Sequence, residues 1–187
     1  MKKGAVDLMI EQWAHERPDL DSSSLGVLAR ISRLARVAED DADKILSQFG
    51  LSNVEFHLLA AIRTTPDYRP SPRDLLGPLM VSSGGLTNRI DRLERNGLLE
   101  RAGNPRDRRG ILLQLTARGR ELVDHVTAVY LANQNDVLND ALEKEEREAL
   151  GELLRKLLDT LTSHGESRTI APQAAPPQSE ARSSVPR

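Results

Sequence analysis

Arginine is concentrated in one short stretch of this 187-residue chain. Between residues 82 and 110, seven arginines and four acidic residues give a formal charge of +3, whereas the whole chain carries −2. The rest of the chain therefore carries −5, and the positive potential is confined to one region. This segregation predicts a polyanionic partner. The arginines are Arg89, Arg92, Arg95, Arg101, Arg106, Arg108 and Arg109.

The first half of the stretch predicts a helix that begins at Ser82 or Ser83. Its small first residues leave backbone N–H groups open to a phosphate. Thr87 and Asn88 follow, and both can exchange hydrogen bonds with base edges in a DNA major groove about 12 Å wide. Arg92 lies on the same free side. The opposite side carries the apolar stripe Leu86, Ile90 and Leu93, which we expect to pack on a core.

The second half of the stretch predicts a β-hairpin. Asn96 and Gly97 end the helix, and residues 98–102 and 110–115 have the composition of two short strands. The connecting GNPRDRR is longer than a two-residue turn, so we expect an extended tip. Arginines at such a tip can enter the narrow, electronegative minor groove of DNA. These are Arg106, Arg108 and Arg109.

Apolar spacing and capping signals predict a mainly helical chain around this hairpin. Ser52 and Glu55 form a capping box, and Ser71 with Pro72 combines a cap with a first-turn proline. Ser24 or a neighbour is expected to cap the long second helix. The predicted helices cover residues 5–16 and about 24–49, begin at 52, 71 and 82, and continue over 117–141 and about 150–161.

The composition argues against several other classes of protein. The absence of cysteine removes disulfides, thiolate metal sites and thiol catalysis. No apolar run approaches the roughly 20 residues needed to cross a bilayer, and no signal peptide is evident, so we expect a cytoplasmic protein without a membrane partner. The four histidines are scattered, and no zinc-protease motif or glycine-rich phosphate loop occurs. We therefore expect no enzyme activity, no metal and no cofactor.

Two other interpretations of the arginine-rich stretch remain open. One is a solvated surface without a partner, which is the usual meaning of a charge run. The other is a helical protein-interaction module whose basic face binds an acidic protein. Salt dependence separates both from DNA binding, because neutralising phosphates gives a slope of log K against log salt of about −0.9 per contact.

Several runs resemble one known family in order and at the expected spacing. LTNRIDRLERNGLLER, NPRDRRG and LQLTARGREL are similar to the winged-helix core of the MarR family of bacterial transcription regulators, and LSNVEFHLLAAI is similar to the preceding helix. The resemblance covers about residues 25–163. It implies a mainly α fold with a small β-wing, a homodimer, and two recognition helices that bind a pseudo-palindromic DNA operator. Repression is the family's expected mode of action.

The resemblance extends to the DNA-binding residues. Asn88 occupies a position where many members have arginine, so its base preference is open. Asp91 and Arg92 match the family's Asp-Arg pair, which implies a phosphate or base contact for Arg92. Asp107 and Arg109 match the wing's Asp-x-Arg, in which the acid orients the arginine for the minor groove. The implied DNA-binding residues are Ser82, Ser83, Thr87, Asn88, Arg92, Arg106, Asp107, Arg108 and Arg109.

The segment MVSSGGLTNRIDRLE and a tryptophan in the first helix resemble the urate-responsive branch of the family. That branch implies a ligand cleft at Trp13, His57, Arg89 and Arg101, with His57 in place of an aspartate. Each has a simpler interpretation: Trp13 as packing, His57 as a structural histidine, and Arg89 as a partner of Asp107 or of a phosphate. The expected effector is a small aromatic or phenolic anion, such as urate.

The resemblance and the composition together predict the organisation of the chain. Residues 1–165 form a MarR-type domain, with dimerisation helices over about 5–49 and 117–163 and a winged helix-turn-helix over about 52–116. Wide apolar stripes on the first two and last two helices support the dimer, since a lone winged helix has no need of them. Residues 166–187 are rich in Pro, Ser and Ala, and we expect a disordered tail.

Overall fold

The chain folds into seven helices and one two-stranded hairpin within the residues that the computed structural model describes, 3–65, 69–105 and 107–164. The mainly helical fold with a small β-wing is confirmed. Contacts divide the chain into two compact units, Met1–Asp136 and Val137–Arg187. The elements are α1 (Ala5–Glu16), α2 (Ser23–Ser47), α3 (Asn53–Arg63), α4 (Pro72–Leu79), α5 (Ser83–Arg95), β1 (Leu99–Asn104), β2 (Asp107–Leu115), α6 (Ala117–Ala141) and α7 (Lys144–His164).

Short side chains cap most of the helix beginnings where the sequence predicts them. Ser52 caps α3, and the Glu55 carboxylate accepts the Ser52 N–H at 2.9 Å in a reciprocal capping box. Ser82 caps α5 by accepting the Gly85 N–H at 3.2 Å. For α2 the sequence predicts Ser24 or a neighbour as the cap, and the N-cap residue is Ser22, although its side chain makes no capping hydrogen bond. The helix begins at Ser23, whose N–H donates to the Asp21 carboxylate at 2.9 Å. A carboxylate satisfies the orphan N–H there.

The hydrophobic core joins α3, α5, the hairpin and the first half of α6. The predicted stripe of α5 is fully buried at Leu86, Ile90 and Leu93. Phe56 of α3 packs on Tyr130 of α6, with ring centroids 5.0 Å apart. Both α3 and α4 contact β2, while α5 contacts β1. The hairpin is thereby held against the helix-turn-helix formed by α4 and α5.

The predicted extended hairpin tip is wrong. β1 continues to Asn104 and β2 resumes at Asp107, so only Pro105 and Arg106 lie between the strands. Asn104 pairs with Asp107, whereas Gly103 pairs with Ile111, so the register shifts next to the tip. The irregularity absorbs the residues from 108 to 110, which composition alone suggested were loop.

The base of the hairpin is joined tightly to α6. The Thr116 hydroxyl donates to the Gly97 carbonyl at 2.7 Å and accepts the Gly119 N–H at 2.9 Å. A Cβ placed on Gly119 would lie 1.8 Å from the Leu98 carbonyl oxygen, which is closer than any real contact. Only glycine allows this approach, so α6 and the hairpin meet through backbone at this point.

The outer helices leave large apolar side chains exposed, although they carry the expected stripes. α1 has no buried residue, and no residue of α7 from 144 to 163 is buried. None of the helices in the described part of the chain is long and apolar enough to cross a membrane. Exposed apolar residues include Leu8, Trp13, Val27, Leu28, Leu34 and Val37 on α1 and α2, and Leu150, Leu153, Leu154, Leu158 and Leu161 on α7.

Two predictions fall partly or wholly outside the described residues. Arg106 is one of the undescribed positions, and so are residues 165–187, which contain the predicted disordered tail. The tail therefore stays a prediction.

Candidate nucleic-acid interface

The N-terminal turn of α5 is open to solvent. Ser82, Ser83 and Gly84 are exposed, and a Cβ on Gly84 would meet nothing within 4 Å. Gly85 donates to the Ser82 hydroxyl, and Leu86 donates to the Ser82 carbonyl at 2.9 Å. The N–H groups of Ser83 and Gly84 have no partner among the described residues. They sit at the positive end of the helix dipole, which favours a phosphate.

The exposed side of α5 presents a small set of polar groups. Thr87 and Asn88 are both exposed, as the helix pattern predicts. The Thr87 hydroxyl donates to the Ser83 carbonyl at 3.0 Å, so its oxygen is left as an acceptor. The Asn88 amide has no partner in the described part of the chain. Its oxygen and its NH₂ group are both available for a bidentate contact with a base.

Arg92 has structural partners that the sequence did not suggest. Its Nη1 lies 3.2 Å from the Glu55 Oε1 oxygen, and its Nη2 donates to the Gly50 carbonyl at 3.0 Å. The side chain nevertheless remains 50% exposed. Glu55 is a functional candidate that the sequence did not reveal. Its place in the capping box already explains why a glutamate stands there. Only the pairing with α5 gives it a second partner.

Arg101 is held by two carboxylates of α5. Its Nη2 contacts the Asp91 carboxylate at 2.5 Å, and its Nη1 donates to Glu94. The hydrogen bond with Asp91 is the main cause that raises the pKa of Arg101 above its ordinary value, with the charge of Glu94 adding to it. These bonds fasten β1 to the C-terminal half of α5. The structure thus accounts for Arg101 without a ligand.

The tip of the hairpin contains the predicted wing residues. Asp107 opens β2, and its Oδ2 oxygen would lie 3.3 Å from a Cβ on Gly110. The carboxylate is therefore folded over the tip. Arg108 and Arg109 belong to β2, but their side chains, like all of Arg106, lie outside the described part of the structure. Their roles in DNA binding stay predictions.

The four predicted effector residues do not line one groove together. Arg89 is half-buried and donates to the Gly85 carbonyl of its own helix at 2.9 Å. Trp13 is 48% exposed on α1. His57 lines a groove of about 560 Å³ whose walls include Asn53, Pro78 and Met80 but none of the other three. A second groove of about 410 Å³ at the base of the hairpin is lined by Arg63, Arg69 and Arg120, among others.

His57 sits in a partly apolar setting. Its ring lies 5.3 Å from Phe56 and 6.4 Å from Tyr130 between centroids. Neighbouring atoms remove part of the water around the ring, although the residue stays exposed, and this partial desolvation lowers the pKa of His57 from its ordinary value of 6.5. The imidazole remains accessible from the groove and is neutral near pH 7. The Oδ1 oxygen of Asn53, in the same groove, is buried without a hydrogen-bond partner among the described atoms.

Comparison with known proteins agrees with this geometry. The family model described as "MarR family" matches residues 51–111. The HTH-type transcriptional regulator PecS of Dickeya dadantii is 35% identical over 160 residues, which cover 85% of this chain and 93% of PecS. The chain belongs to the MarR family. It is accordingly a transcription regulator and not an enzyme.

Solved structures of the MarR family share the fold. A mutant of MarR from Escherichia coli, complexed with operator DNA, has a TM-score of 0.60 and 28% identity, with coverage of 74% of this chain and 99% of that one. AbsC from Streptomyces coelicolor, a MarR family transcriptional regulator, has a TM-score of 0.69 over 77% of this chain and 97% of its own, at 24% identity. The second likeness bears on the fold alone.

Proposed function

We propose that this chain is a homodimeric repressor that binds a pseudo-palindromic DNA operator and leaves it when a small anion binds. In this proposal α5 enters the major groove and the wing enters the adjacent minor groove. Residues 1–165 form the regulator, and its place of action is the cytoplasm, where the DNA is. The observation that carries the proposal is the exposed polar side of α5, from Ser82 to Arg92, beside an arginine-bearing hairpin.

The chemistry of this surface suits DNA better than an acidic protein. An open helix N-terminus favours phosphate, and the free Asn88 amide matches the donor and acceptor pair of adenine in the major groove. The E. coli relative solved with operator DNA has the same fold. An acidic protein would pair with the arginines, but it would not specifically use the Asn88 amide, which has no partner in the described part of the chain.

The exposed apolar faces of the outer helices support a dimer. Leucines on α7 and apolar residues on α1 and α2 remain in water in a single chain. A second copy would cover them and place two α5 helices on successive half-sites, about 34 Å apart along the duplex. The twofold axis of the dimer would then coincide with the twofold axis of the pseudo-palindromic operator.

For the effector, we propose a small aromatic or phenolic anion that binds in the groove at His57. The groove is partly apolar, contains a neutral imidazole whose ring N–H can donate a hydrogen bond, and is walled by Met80 in the turn before α5. A ligand there would press on the turn that sets the direction of α5. Trp13, Arg89 and Arg101 complete the site only if the dimer or a movement brings them near.

The test is a titration with duplex DNA from the intergenic region beside the chain's own gene. We expect tight binding whose log K falls with log salt at about −0.9 for each phosphate contact. A slope near zero, or equal affinity for unrelated duplex of the same length, would reject the operator model. Tight binding to an acidic protein in place of DNA would favour the interaction module.

The effector is tested by adding urate, xanthine and a panel of phenolic acids to the DNA complex. We expect one of them to release the DNA, and we expect His57→Ala to abolish the release while leaving DNA affinity unchanged. Arg120→Ala, at the base of the hairpin, is the matched comparison. If Arg120→Ala abolishes the release and His57→Ala does not, the effector binds in the groove at the hairpin base instead.

A further inference from the structure

Glu55 is a buried carboxylate that has partners on two sides. The residue is only 1% exposed. Its Oε2 oxygen accepts the Ser52 N–H at 2.9 Å and the Ser52 hydroxyl at 2.8 Å, which completes the cap of α3. Its Oε1 oxygen faces away from the cap and lies 3.2 Å from Arg92. A helix cap needs only the first of these interactions.

Arg92 uses part of its hydrogen-bonding capacity on this arrangement. A guanidinium has five N–H donors in one plane. One Nη group points to Glu55 and the other donates to the Gly50 carbonyl, while half of the side chain stays in solvent. The remaining donors have no partner among the described residues. The buried edge of the guanidinium is thus fixed and its other edge is free.

We propose that Glu55 is a positioning residue for DNA binding, holding Arg92 so that the free edge of its guanidinium meets a DNA phosphate. The inference rests on the proposed function and deepens it. A free arginine loses rotamer freedom when it binds a phosphate, and a side chain that is already held loses less. Glu55 supplies that preorganisation from α3, and the Gly50 carbonyl supplies it from the turn between α2 and α3.

The charge balance also favours positioning over simple attraction. A carboxylate behind the guanidinium weakens its long-range pull on any anion. The benefit of Glu55 is therefore geometric: it orients a planar fork, which lysine does not possess. An arginine acting only as a positive charge would bind more strongly without Glu55.

The main variant is Glu55→Gln in the full chain. Glutamine retains the capping box, so the helix start survives while the charged contact to Arg92 is lost. We expect operator affinity to fall by up to about tenfold, the scale of immobilising one rotamer-rich side chain. The slope of log K against log salt should stay the same, because Arg92 keeps its charge and still reaches the phosphate, at a greater cost in rotamer freedom. Unchanged or tighter operator binding by Glu55→Gln would overturn the proposal.

Arg92→Lys tests the partner residue independently, because it keeps the charge but not the fork. We expect a similar loss of affinity at an unchanged salt slope, and we expect the double variant to bind no more weakly than Arg92→Lys alone. Independent, multiplicative losses would overturn the proposal, as would full affinity of Arg92→Lys.

Ser52→Ala is the matched control, since it removes a cap partner of Glu55 and leaves the contact to Arg92. We expect it to lower the melting temperature without changing the operator affinity or the salt slope of the folded protein. If Ser52→Ala reduces DNA affinity as Glu55→Gln does, Glu55 acts through the cap and the proposal fails. Failure of the wild-type chain to bind duplex DNA would instead reject the proposed function itself.

Discussion

Neighbouring arginines on and beside α5 have different partners, and these partners decide which side chains are available to DNA. Arg89 donates to its own helix, Arg92 is shared between Glu55 and solvent, and Arg101 is enclosed by Asp91 and Glu94. Asn88 stands among them without a partner in the described part of the chain. A polar group that is already satisfied gains little from a new partner, so Asn88 is the best candidate for reading a base.

We therefore predict that Asn88→Ala relaxes sequence specificity at one position of the operator. Loss of a bidentate base contact should cost about 1 to 3 kcal/mol of discrimination at that base pair. Binding to unrelated duplex should stay the same, because phosphate contacts are retained. Competition with operators mutated one base pair at a time measures the effect. Asn135→Ala, an exposed asparagine on α6, is the control, and equal behaviour of the two variants would contradict the assignment.

His57 predicts a dependence of stability on pH. Its pKa in the folded chain lies below the ordinary 6.5, so the unfolded chain takes up a proton first as the pH falls. The free energy of unfolding therefore decreases below about pH 6.5 and is unaffected by this group above it. Above pH 7, the difference in melting temperature between the wild type and His57→Gln should not change with pH. Between pH 6.5 and the lowered pKa, only the wild type should lose stability from this source.

Parallel curves for the wild type and His57→Gln across the whole range would contradict this prediction. They would mean that the ring is as well hydrated in the folded chain as in the unfolded one.

At the scale of elements, the position of the wing depends on its joint with α6. Thr116 links the Gly97 carbonyl to the first turn of α6, and Gly119 lies directly against the Leu98 carbonyl. Because this contact is between backbone atoms, neither side can move aside by changing a rotamer. The direction of the hairpin, and with it the site of any minor-groove contact, is set by this joint.

We predict that Gly119→Ala destabilises the fold by an amount on the order of 3 kcal/mol, since a methyl group cannot fit between α6 and Leu98. Denaturant unfolding measures the change. Gly84→Ala in α5 is the control, because a Cβ there meets nothing within 4 Å. That variant should gain up to about 1 kcal/mol from the better helix propensity of alanine. A loss for Gly119→Ala no larger than the general surface value of about 0.5 kcal/mol would contradict the close approach.

At the scale of the whole molecule, the exposed apolar faces of the outer helices support the proposed dimer. Most helical stability in proteins comes from packing of an apolar face, yet α7 buries no residue between 144 and 163. Leu153 and Leu158 on α7 are 66% and 62% exposed, and burial against a second copy would remove both from water. Stability, dimerisation and operator binding should therefore depend on one another.

We predict that Leu153→Glu weakens dimerisation about a hundredfold, by the lost burial of the leucine and the cost of burying a charge. Analytical ultracentrifugation over a range of concentrations measures this, and operator affinity should fall with the dimer fraction. Lys156→Glu on the same helix is the control for added acid. If Leu153→Glu remains dimeric at the dilution where the wild type does, α7 does not form the interface through this face.

The sequence by itself determined the features that depend on neighbouring residues. The capping box at Ser52, the cap at Ser71, the open start of α5 at Ser82 and the stripe of Leu86, Ile90 and Leu93 all involve residues within one or two helical turns. Local periodicity reports such interactions because both partners lie in the same short segment. The side of α5 that faces solvent, and hence Thr87 and Asn88, followed from the same pattern.

Only the tertiary structure decided which distant groups meet. Arg92 reaches a carbonyl 42 residues away, and Arg101 is enclosed by carboxylates of another element. The strands also extend to within two residues of each other because pairing across the hairpin stabilises residues that composition marks as loop. Partners far apart in the chain leave no periodic signal, so the second role of Glu55 and the separation of Arg89, Arg101, Trp13 and His57 emerged only from the fold.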